Sequence, residues 1–180
     1  MIVRLVGARD AAAVASLYAP YVTDSAVSFE AEPPSVAEMG ERIAAGGALY
    51  PWLVAEQDGA LLGYAYATAF RARHAYRFTV ETSVYVRQGG HGRGVGGALY
   101  RALLPLLQRQ GFTQAIAALT LPNEASVRLH ERHGFARAGC YENVGHKFGA
   151  WRSVGLWQRA LAPLSESPDE PRPFAPLYRP

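Results

Sequence analysis

The stretch VYVRQGGHGRGVGGALY, residues 84–100, decides the fold because it joins an apolar run to a helix-like run through six glycines. Glycine loses more conformational entropy on folding than other residues, so this concentration predicts a backbone that bends sharply or approaches a ligand closely. The amides of such a loop can point into one concavity, and the following helix N-terminus adds partial positive charge. The pattern therefore predicts a pyrophosphate cradle, to which Arg93 and, at its rim, Arg87 can add charge.

The run that follows the loop favours this cradle over the alternative, a flexible glycine-rich surface loop. Apolar residues recur there at helical spacing, at Val95, Leu99, Ala102, Leu103 and Leu106. This period predicts an amphipathic helix that begins directly after the glycines. The cradle amides therefore belong to a helix start.

A dinucleotide-binding loop is one interpretation, since Gly92, Gly94 and Gly97 fit G-x-G-x-x-G. That fingerprint expects an acidic residue about 20 positions further on, but no acid follows before Glu124. Four strand signals precede the loop, whereas the dinucleotide fold usually opens with this unit. Residues 87–91 (RQGGH) also make the strand-to-helix turn too long, so these features oppose the interpretation.

The length and composition of the chain indicate one compact domain with no metal site and no membrane-spanning segment. The chain has 180 residues, of which 49% are hydrophobic and 18% charged, a composition that can bury a core. Its one cysteine, Cys140, excludes an intramolecular disulfide, and the five histidines lack ligand spacing, so no metal is expected. No signal peptide or apolar run of about 20 residues is visible, so we expect a cytoplasmic protein with no membrane partner.

The charge is basic but dispersed. The formal net charge is +3 and the sequence pI is about 9.2, with Lys147 the only lysine. The arginines form no basic run, which favours a small anionic ligand or a solvated surface over nucleic acid. We therefore expect no nucleic-acid partner.

Periodicity and turn chemistry predict an α/β protein. The predicted elements in chain order are a strand over 2–6, helices over 10–22 and after Ser35, strands over 51–56, 60–69 and 78–86, a helix over 94–109, a strand over 113–120, a helix from 122 to 134, and strands near 136–147 and 151–161. Residues 162–180 form a separate proline-rich tail, predicted either to drape over the domain or a partner, or to be mobile.

Several motifs together resemble the GNAT acetyltransferases. HGRGVG (91–96) is similar to their pyrophosphate loop Q/R-x-x-G-x-G/A, although His91 replaces the usual Gln or Arg, and NEASVRLHERHGF (123–135) is similar to their second signature. YPWLVAE (50–56), ARHAYRFTVETSVYV (72–86) and GHKFGAWRSVGLWQ (145–158) resemble the phosphinothricin and methionine sulfoximine/sulfone acetyltransferases. The resemblance covers residues 1–161. It implies the GNAT fold, a mixed central sheet of about seven strands with a splay between two central parallel strands, flanked by about four helices.

The resemblance implies acetyl-CoA as cosubstrate and assigns residues to it. The pantetheine arm would pair with the backbone of Val84, Tyr85 and Val86, and Asn123 would bind it from the other side. Asn123 also suits a helix N-cap, and both roles are compatible. The residues of the pyrophosphate cradle are Gly92, Arg93, Gly94, Val95, Gly96 and Gly97.

Two residues are candidates for catalysis. Strand alternation places Glu81 on one face with Ser83 and Tyr85, where partial burial would raise its pKa and suit it to act as a general base. The alternative is an exposed edge carboxylate, and the resemblance favours the base. The resemblance implies that His130 occupies the position of the general acid of the superfamily, where it would act as the acid or organise the site, although a lone helix histidine is more often structural. The Val86 amide is a candidate oxyanion donor.

The loop FRARHAY (70–76) is the candidate acceptor site. Arg71 and Arg73 can hold an α-carboxylate with forked donors, and Phe70 and Tyr76 can enclose a methylene chain; two solvated arginines are the alternative. The expected reaction is direct attack by the amine in a ternary complex, with phosphinothricin, methionine sulfoximine or methionine sulfone as acceptor. A protein or peptide N-terminal acetyltransferase and a non-catalytic acyl-CoA-binding module are the alternatives. The resemblance also implies a homodimer.

Overall fold

The computed structural model describes residues 1–90 and 92–178, and its elements follow the predicted β-α-α-β-β-β-α-β-α-β-β order. The elements are β1 (Ile2–Leu5), α1 (Ala11–Thr23), α2 (Val36–Ala45), β2 (Trp52–Gln57), β3 (Ala60–Ala69), β4 (Thr79–Val86), α3 (Val95–Gln110), β5 (Gln114–Leu121), α4 (Glu124–Arg132), β6 (Ala136–Lys147) and β7 (Ala150–Ala160). Short 3-10 turns cover Ala8–Asp10, His74–Tyr76 and Ala175–Leu177.

One seven-stranded sheet has the order β1-β2-β3-β4-β5-β7-β6. Among the strands of the described residues, only β4 and β5 pair in parallel, and their register ends where Glu81 meets Ile116. Both strands continue beyond this point, to Val86 and Leu121, without pairing with each other. Their carboxyl ends therefore diverge, which confirms the predicted splay in the middle of a mixed sheet.

Local sequence rules explain two of the connections. The Ser35 side chain accepts from the Glu38 amide at 3.2 Å, and the Glu38 carboxylate accepts from the Ser35 amide at 2.7 Å, a capping box that starts α2. The β2–β3 hairpin turns through Asp58 and Gly59, whose φ angles are 52° and 77°. Two positive φ angles identify the turn type whose twist suits a two-residue hairpin.

The sheet carries a separate apolar core on each face. Residues of α3 and α4 pack against one face, where Leu99, Leu103 and Val80 are fully buried. Residues of α1 and α2 pack against the other, together with Val54 and Tyr64. Alternation along β4 turns Glu81, Ser83 and Tyr85 toward the α1 side.

The described part of the tail lies against the domain. The Arg172 amide donates to the Gln110 carbonyl at 2.7 Å, the Phe174 amide donates to Ala48 at 3.0 Å, and the Tyr178 hydroxyl donates to Val3 at 2.8 Å. These contacts favour the draped alternative for residues 162–178. The division into a domain of residues 1–161 and a tail of 162–180 stays a prediction.

Replacing Gln110 with Leu should destabilise the protein through this tail. Gln110 is fully buried, and its amide nitrogen donates to Leu49 O at 2.8 Å and to Arg172 O at 2.9 Å. Because the variant leaves two carbonyls without that donor, we expect the free energy of unfolding to fall by about 2–4 kcal/mol. The melting midpoint should be about 5–15 °C lower. Thermal denaturation measures the effect. Gln108→Leu, at an exposed position of the same helix, should change the midpoint little, and equal effects of both variants would contradict the prediction.

None of the helices within residues 1–90 and 92–178 combines the length and the apolar character needed to cross a bilayer.

Candidate active site

The glycine loop forms a left-handed backbone that only glycine adopts without strain. Gly92 has φ 81° and Gly94 has φ 79°, and Gly94 is the N-cap of α3. A Cβ added at either position would meet no atom within 4 Å, so the space in front of the loop is open. Arg93 between them is exposed. This arrangement leaves room for a bulky anion directly on the backbone. His91, the predicted head of the loop, lies outside the described residues.

The first turn of α3 is held firmly while its amides face the loop. Val95 and Gly96 are buried, and a Cβ at Gly96 would lie 2.9 Å from Leu129 Cδ2 of α4, so the two helices approach closely here. The first amides of a helix have no intrahelical acceptor. The amides of Val95, Gly96 and Gly97 are therefore available to an anion at this helix start.

The splay opens a small cleft of about 50 Å³ at the carboxyl ends of β4 and β5. Among the residues that line it are Val27, Ser83, Val84, Tyr85, Asn123 and His130. The Arg87 amide donates to Leu62 of β3 at 2.8 Å, so alternation turns the amides of Val84 and Val86 to the open side. The structure thus brings the predicted cofactor residues of β4 and α4 into one cleft.

A tyrosine from α1 occupies part of the open edge of β4. The Tyr21 hydroxyl donates to the Val86 carbonyl, and the Val86 amide donates to the same hydroxyl at 3.3 Å. The predicted oxyanion donor is therefore already engaged, by a long and weak bond. The sequence carried no local signal for this contact, because Tyr21 lies 65 positions before Val86.

Glu81 is a partly buried carboxylate in the middle of the sheet. It lies at the last position at which β4 pairs with β5, between Thr68 of β3 and Ile116 of β5. Burial raises its pKa above the usual range, and no salt bridge offsets this within the described ranges. The raised pKa is the property that a general base near neutral pH needs.

Asn123 begins α4. Its side-chain oxygen accepts from the Ser126 amide at 3.2 Å, which is the N-cap contact that the sequence predicted. Asn123 also lines the cleft, so the cap fixes its position at the end of β5. The structural role is thus observed, and the cofactor role stays a prediction.

His130 is buried and both of its ring nitrogens are engaged. Nδ1 lies 2.8 Å from the Ser126 carbonyl, which can only accept, so Nδ1 carries the proton and donates. Nε2 then accepts from the Tyr100 hydroxyl at 2.7 Å. Burial lowers the pKa of His130, partly opposed by the bond to Ser126, so the ring is neutral at pH 7. Tyr100 was not predicted as a site residue, because the glycine-loop motif ends before it.

The candidate acceptor loop brings three of its four predicted residues together. The Phe70 and Tyr76 rings meet edge to face with centroids 5.6 Å apart, and the Arg71 guanidinium lies 5.0 Å from the Phe70 centroid. Arg73 is exposed and forms the N-cap of the 3-10 turn, outside this cluster. The loop therefore offers an aromatic surface with one guanidinium group, that of Arg71, beside it.

A larger groove of about 640 Å³ lies between α4 and the β6–β7 hairpin, and Cys140 lines it. Asn123 lines both this groove and the cleft, but Glu81 borders neither. No group of three or more His, Cys, Asp or Glu side chains within residues 1–90 and 92–178 could hold a metal ion.

Comparison with known proteins identifies relatives over most of the chain. Residues 3–153 match the family described as acetyltransferase (GNAT) domain. A phosphinothricin N-acetyltransferase from Streptomyces viridochromogenes is 41% identical over 175 residues, which cover 97% of this chain and 93% of that protein. An L-methionine sulfoximine/L-methionine sulfone acetyltransferase from Pseudomonas aeruginosa is 41% identical over 120 residues, which cover 66% of this chain and 70% of that protein.

A solved structure has the same fold. The phosphinothricin acetyltransferase of Sinorhizobium meliloti, in complex with AcCoA, has a TM-score of 0.85 and 37% identity, covering 88% of this chain and 87% of that one. The splayed sheet, the glycine cradle and these likenesses place the protein among the acyltransferases. The chain belongs to the GNAT acetyltransferase family, and it is an N-acetyltransferase.

Proposed function

We propose that the protein transfers the acetyl group of acetyl-CoA to the α-amino group of a small amino-acid analogue, such as phosphinothricin, methionine sulfoximine or methionine sulfone. One observation carries the proposal: an open glycine cradle borders the splay, and a partly buried carboxylate, Glu81, lies on β4 where the splay begins. The relatives named above act on these acceptors, which supports the same substrate class here.

Acetyl-CoA fits the cradle and the splay. The amides between Gly92 and Gly97 would hold the pyrophosphate, with Arg93 adding charge. The pantetheine arm would pair with the open edge of β4 at Val84, Tyr85 and Val86, where Tyr21 must yield its place at Val86. Asn123 would contact the arm from the β5 side. Arg93 is exposed on the loop, which suits this role.

Glu81 would act as the general base. The acceptor amine is mostly protonated at pH 7, since alkyl ammonium groups titrate near about 10. Glu81, directly or through water, takes one proton and the amine nitrogen attacks the thioester carbon. The carbon–sulfur bond then breaks, and coenzyme A leaves as a thiolate that takes up the second proton lost by the nitrogen, while Glu81 releases the first proton to water. No enzyme nucleophile is needed, so both substrates are bound together.

Two further groups would support this step. The Val84 and Val86 amides face the splay, where they can donate to the oxyanion of the tetrahedral intermediate. The Val86 amide now donates to the Tyr21 hydroxyl, but an oxyanion is a stronger acceptor and would replace it. His130 would organise the site, because its neutral ring accepts from Tyr100 and donates to the backbone of α4. This geometry favours the organising role over that of a general acid, which would need a proton on Nε2.

A thiol-release assay tests the proposed function. The purified protein is given acetyl-CoA and, in separate reactions, phosphinothricin, methionine sulfoximine, methionine sulfone and a peptide with an unblocked N-terminus. We expect thiol release with at least one amino-acid analogue and none with the peptide. Turnover of the peptide alone would favour an N-terminal acetyltransferase, and binding of acetyl-CoA without any release would favour a non-catalytic module.

Arg73→Ala should weaken acceptor binding without affecting acetyl-CoA. A charge-assisted hydrogen bond to a carboxylate contributes about 1.5–3 kcal/mol, so we expect the KM for the acceptor to rise at least ~10-fold. The dissociation constant of acetyl-CoA should stay within twofold, by isothermal titration calorimetry. Arg9→Ala, an exposed arginine on the 3-10 turn before α1, is the control. A loss of acetyl-CoA affinity in Arg73→Ala would show that the acceptor loop is misplaced.

We also propose that the protein forms a homodimer. We further propose that its biological role is the detoxification of such analogues. The β6–β7 hairpin exposes Tyr141, Val144, Phe148 and Trp151, of which Trp151 is 65% exposed. A cluster of large apolar side chains on one hairpin is typical of a surface covered by a partner. Sedimentation at the mass of a single chain would contradict the dimer.

A further inference from the structure

Lys147 makes an unusual set of hydrogen bonds at the end of β6. Its ammonium donates to the carbonyls of Val22 at 2.6 Å, Ser28 at 2.7 Å and Glu30 at 2.9 Å. These are the three donors that an ammonium group has. All three acceptors belong to the end of α1 and the segment that follows it, so one side chain joins the β6–β7 hairpin to that segment.

The segment, residues 24–34, connects α1 to α2 and is called the α1–α2 loop below. Other side chains hold the middle of this loop, at Ser28 and Glu30. The Tyr18 hydroxyl contacts Ser28 Oγ at 2.7 Å and Glu30 at 2.8 Å, and Arg42 of α2 binds both oxygens of Glu30 at 2.7 and 2.8 Å. The Glu30 carboxylate is therefore committed to Arg42 and Tyr18. Lys147 bonds to backbone carbonyls and to no carboxylate within the described ranges.

The same loop forms one wall of the cleft. Val27 lines the cleft with His130 and Asn123, and its carbonyl accepts from Thr120 of β5 at 3.1 Å. A Cβ at Gly145 would collide with the Phe29 ring, so β6 packs directly against the loop here. Lys147 thus bonds to the chain on both sides of Val27, to Val22 before it and to Ser28 and Glu30 after it.

We propose that Lys147 is a positioning residue, which holds the α1–α2 loop against the cleft and thereby sets the affinity for the acceptor. This inference rests on the proposed function, since it takes the cleft as the place of acetyl transfer. The pyrophosphate cradle lies at the start of α3, which packs on the opposite face of the sheet from α1, and none of the three Lys147 bonds goes to it. Loss of the three bonds should therefore affect the acceptor more than acetyl-CoA.

Lys147→Met tests the role, because methionine keeps an unbranched apolar stem and removes the three donors. We expect amide hydrogen exchange of residues 24–31 to become at least ~10-fold faster, since those amides lose the anchor of their loop. The acceptor KM should rise at least ~10-fold and by more than the acetyl-CoA dissociation constant, because acetyl-CoA keeps its contacts in the cradle, while kcat should stay within threefold. Arg137→Met removes a charge from an exposed position of the same strand and should change none of these quantities.

Other outcomes would overturn the proposal. One is an unchanged rate of amide hydrogen exchange in the α1–α2 loop of Lys147→Met. Another is that Lys147→Met and Arg137→Met change the exchange rate and the acceptor KM equally. A third is that the acetyl-CoA dissociation constant rises as much as the acceptor KM. If Lys147→Met does not fold, Lys147→Arg replaces it, because a longer planar head cannot direct donors to the same three carbonyls. The exchange measurement needs no turnover. A protein that acetylates no acceptor but loses loop protection in the variant would refute the proposed function and retain the anchor.

Discussion

Replacing Glu81 with Gln lowers turnover at least ~100-fold while acetyl-CoA still binds, if Glu81 is the general base. The factor is the low end for the loss of such a group. Glutamine has nearly the same shape but cannot take a proton from the acceptor amine. Stopped-time thiol release measures turnover, and calorimetry measures acetyl-CoA binding in the same preparation. Unchanged turnover would remove Glu81 from the mechanism.

The pH dependence of kcat/KM gives independent evidence for the role of Glu81 as the base. Burial raises the pKa of Glu81, so the carboxylate becomes protonated, and inactive as a base, at a higher pH than an exposed glutamate. The wild-type kcat/KM should therefore fall as the pH decreases through this raised pKa. In Glu81→Gln the residual rate should lack this acidic limb. An identical limb in both proteins would assign it to another group.

Stability provides the control for this variant. Since the folded-state pKa is raised, the folded protein binds the Glu81 proton more tightly than the unfolded chain, and the ionised form costs stability above that pKa. Glu81→Gln should therefore melt no lower than wild type at neutral pH. Glu41→Gln, at an exposed position of α2, should keep full activity. A large loss of melting temperature in Glu81→Gln would show that low activity reflects misfolding.

Replacing Gly94 with Ala should weaken acetyl-CoA binding at least ~10-fold. Gly94 has φ 79°, and an L-residue in that region costs about 1–2 kcal/mol. The new methyl group would also enter the open space in front of the loop, where the pyrophosphate is expected. A change of about 1.4 kcal/mol corresponds to a tenfold change in affinity. Calorimetric titration with acetyl-CoA gives the dissociation constant.

Gly59→Ala is a closely matched control for backbone strain. Gly59 has φ 77°, and a Cβ there likewise meets nothing within 4 Å, but it lies in the β2–β3 turn away from the cradle. Both variants should lose similar stability, and only Gly94→Ala should lose affinity. Equal affinities in the two variants would mean that the loop from Gly92 to Gly97 does not hold the cosubstrate.

Much of the fold could be predicted because its signals are local. Helical period after the glycine loop, alternation in β4 and the Ser35–Glu38 spacing each depend on residues a few positions apart. The order of elements followed from these signals, and the structure confirms it. The left-handed angles at Gly92 and Gly94 also agree with a loop in which glycine is needed for its conformation.

The candidate site was only partly predictable, because its decisive contacts join distant segments. Tyr100 meets His130 across 30 positions, and burial at this contact lowers the pKa of the histidine and keeps its ring neutral. Tyr21 reaches Val86 across 65 positions and occupies the predicted oxyanion donor. The sequence shows each residue, but no local pattern pairs them.

By itself, the sequence determined the order of helices and strands, the position of the glycine loop and the strand that carries Glu81, because periodicity and backbone conformation act over a few residues. Only the tertiary structure decided that the tail lies on Gln110 and that Lys147 holds the α1–α2 loop. These contacts span 62 and 125 positions. They depend on how the two faces of the sheet are packed, and packing is a property of the whole chain.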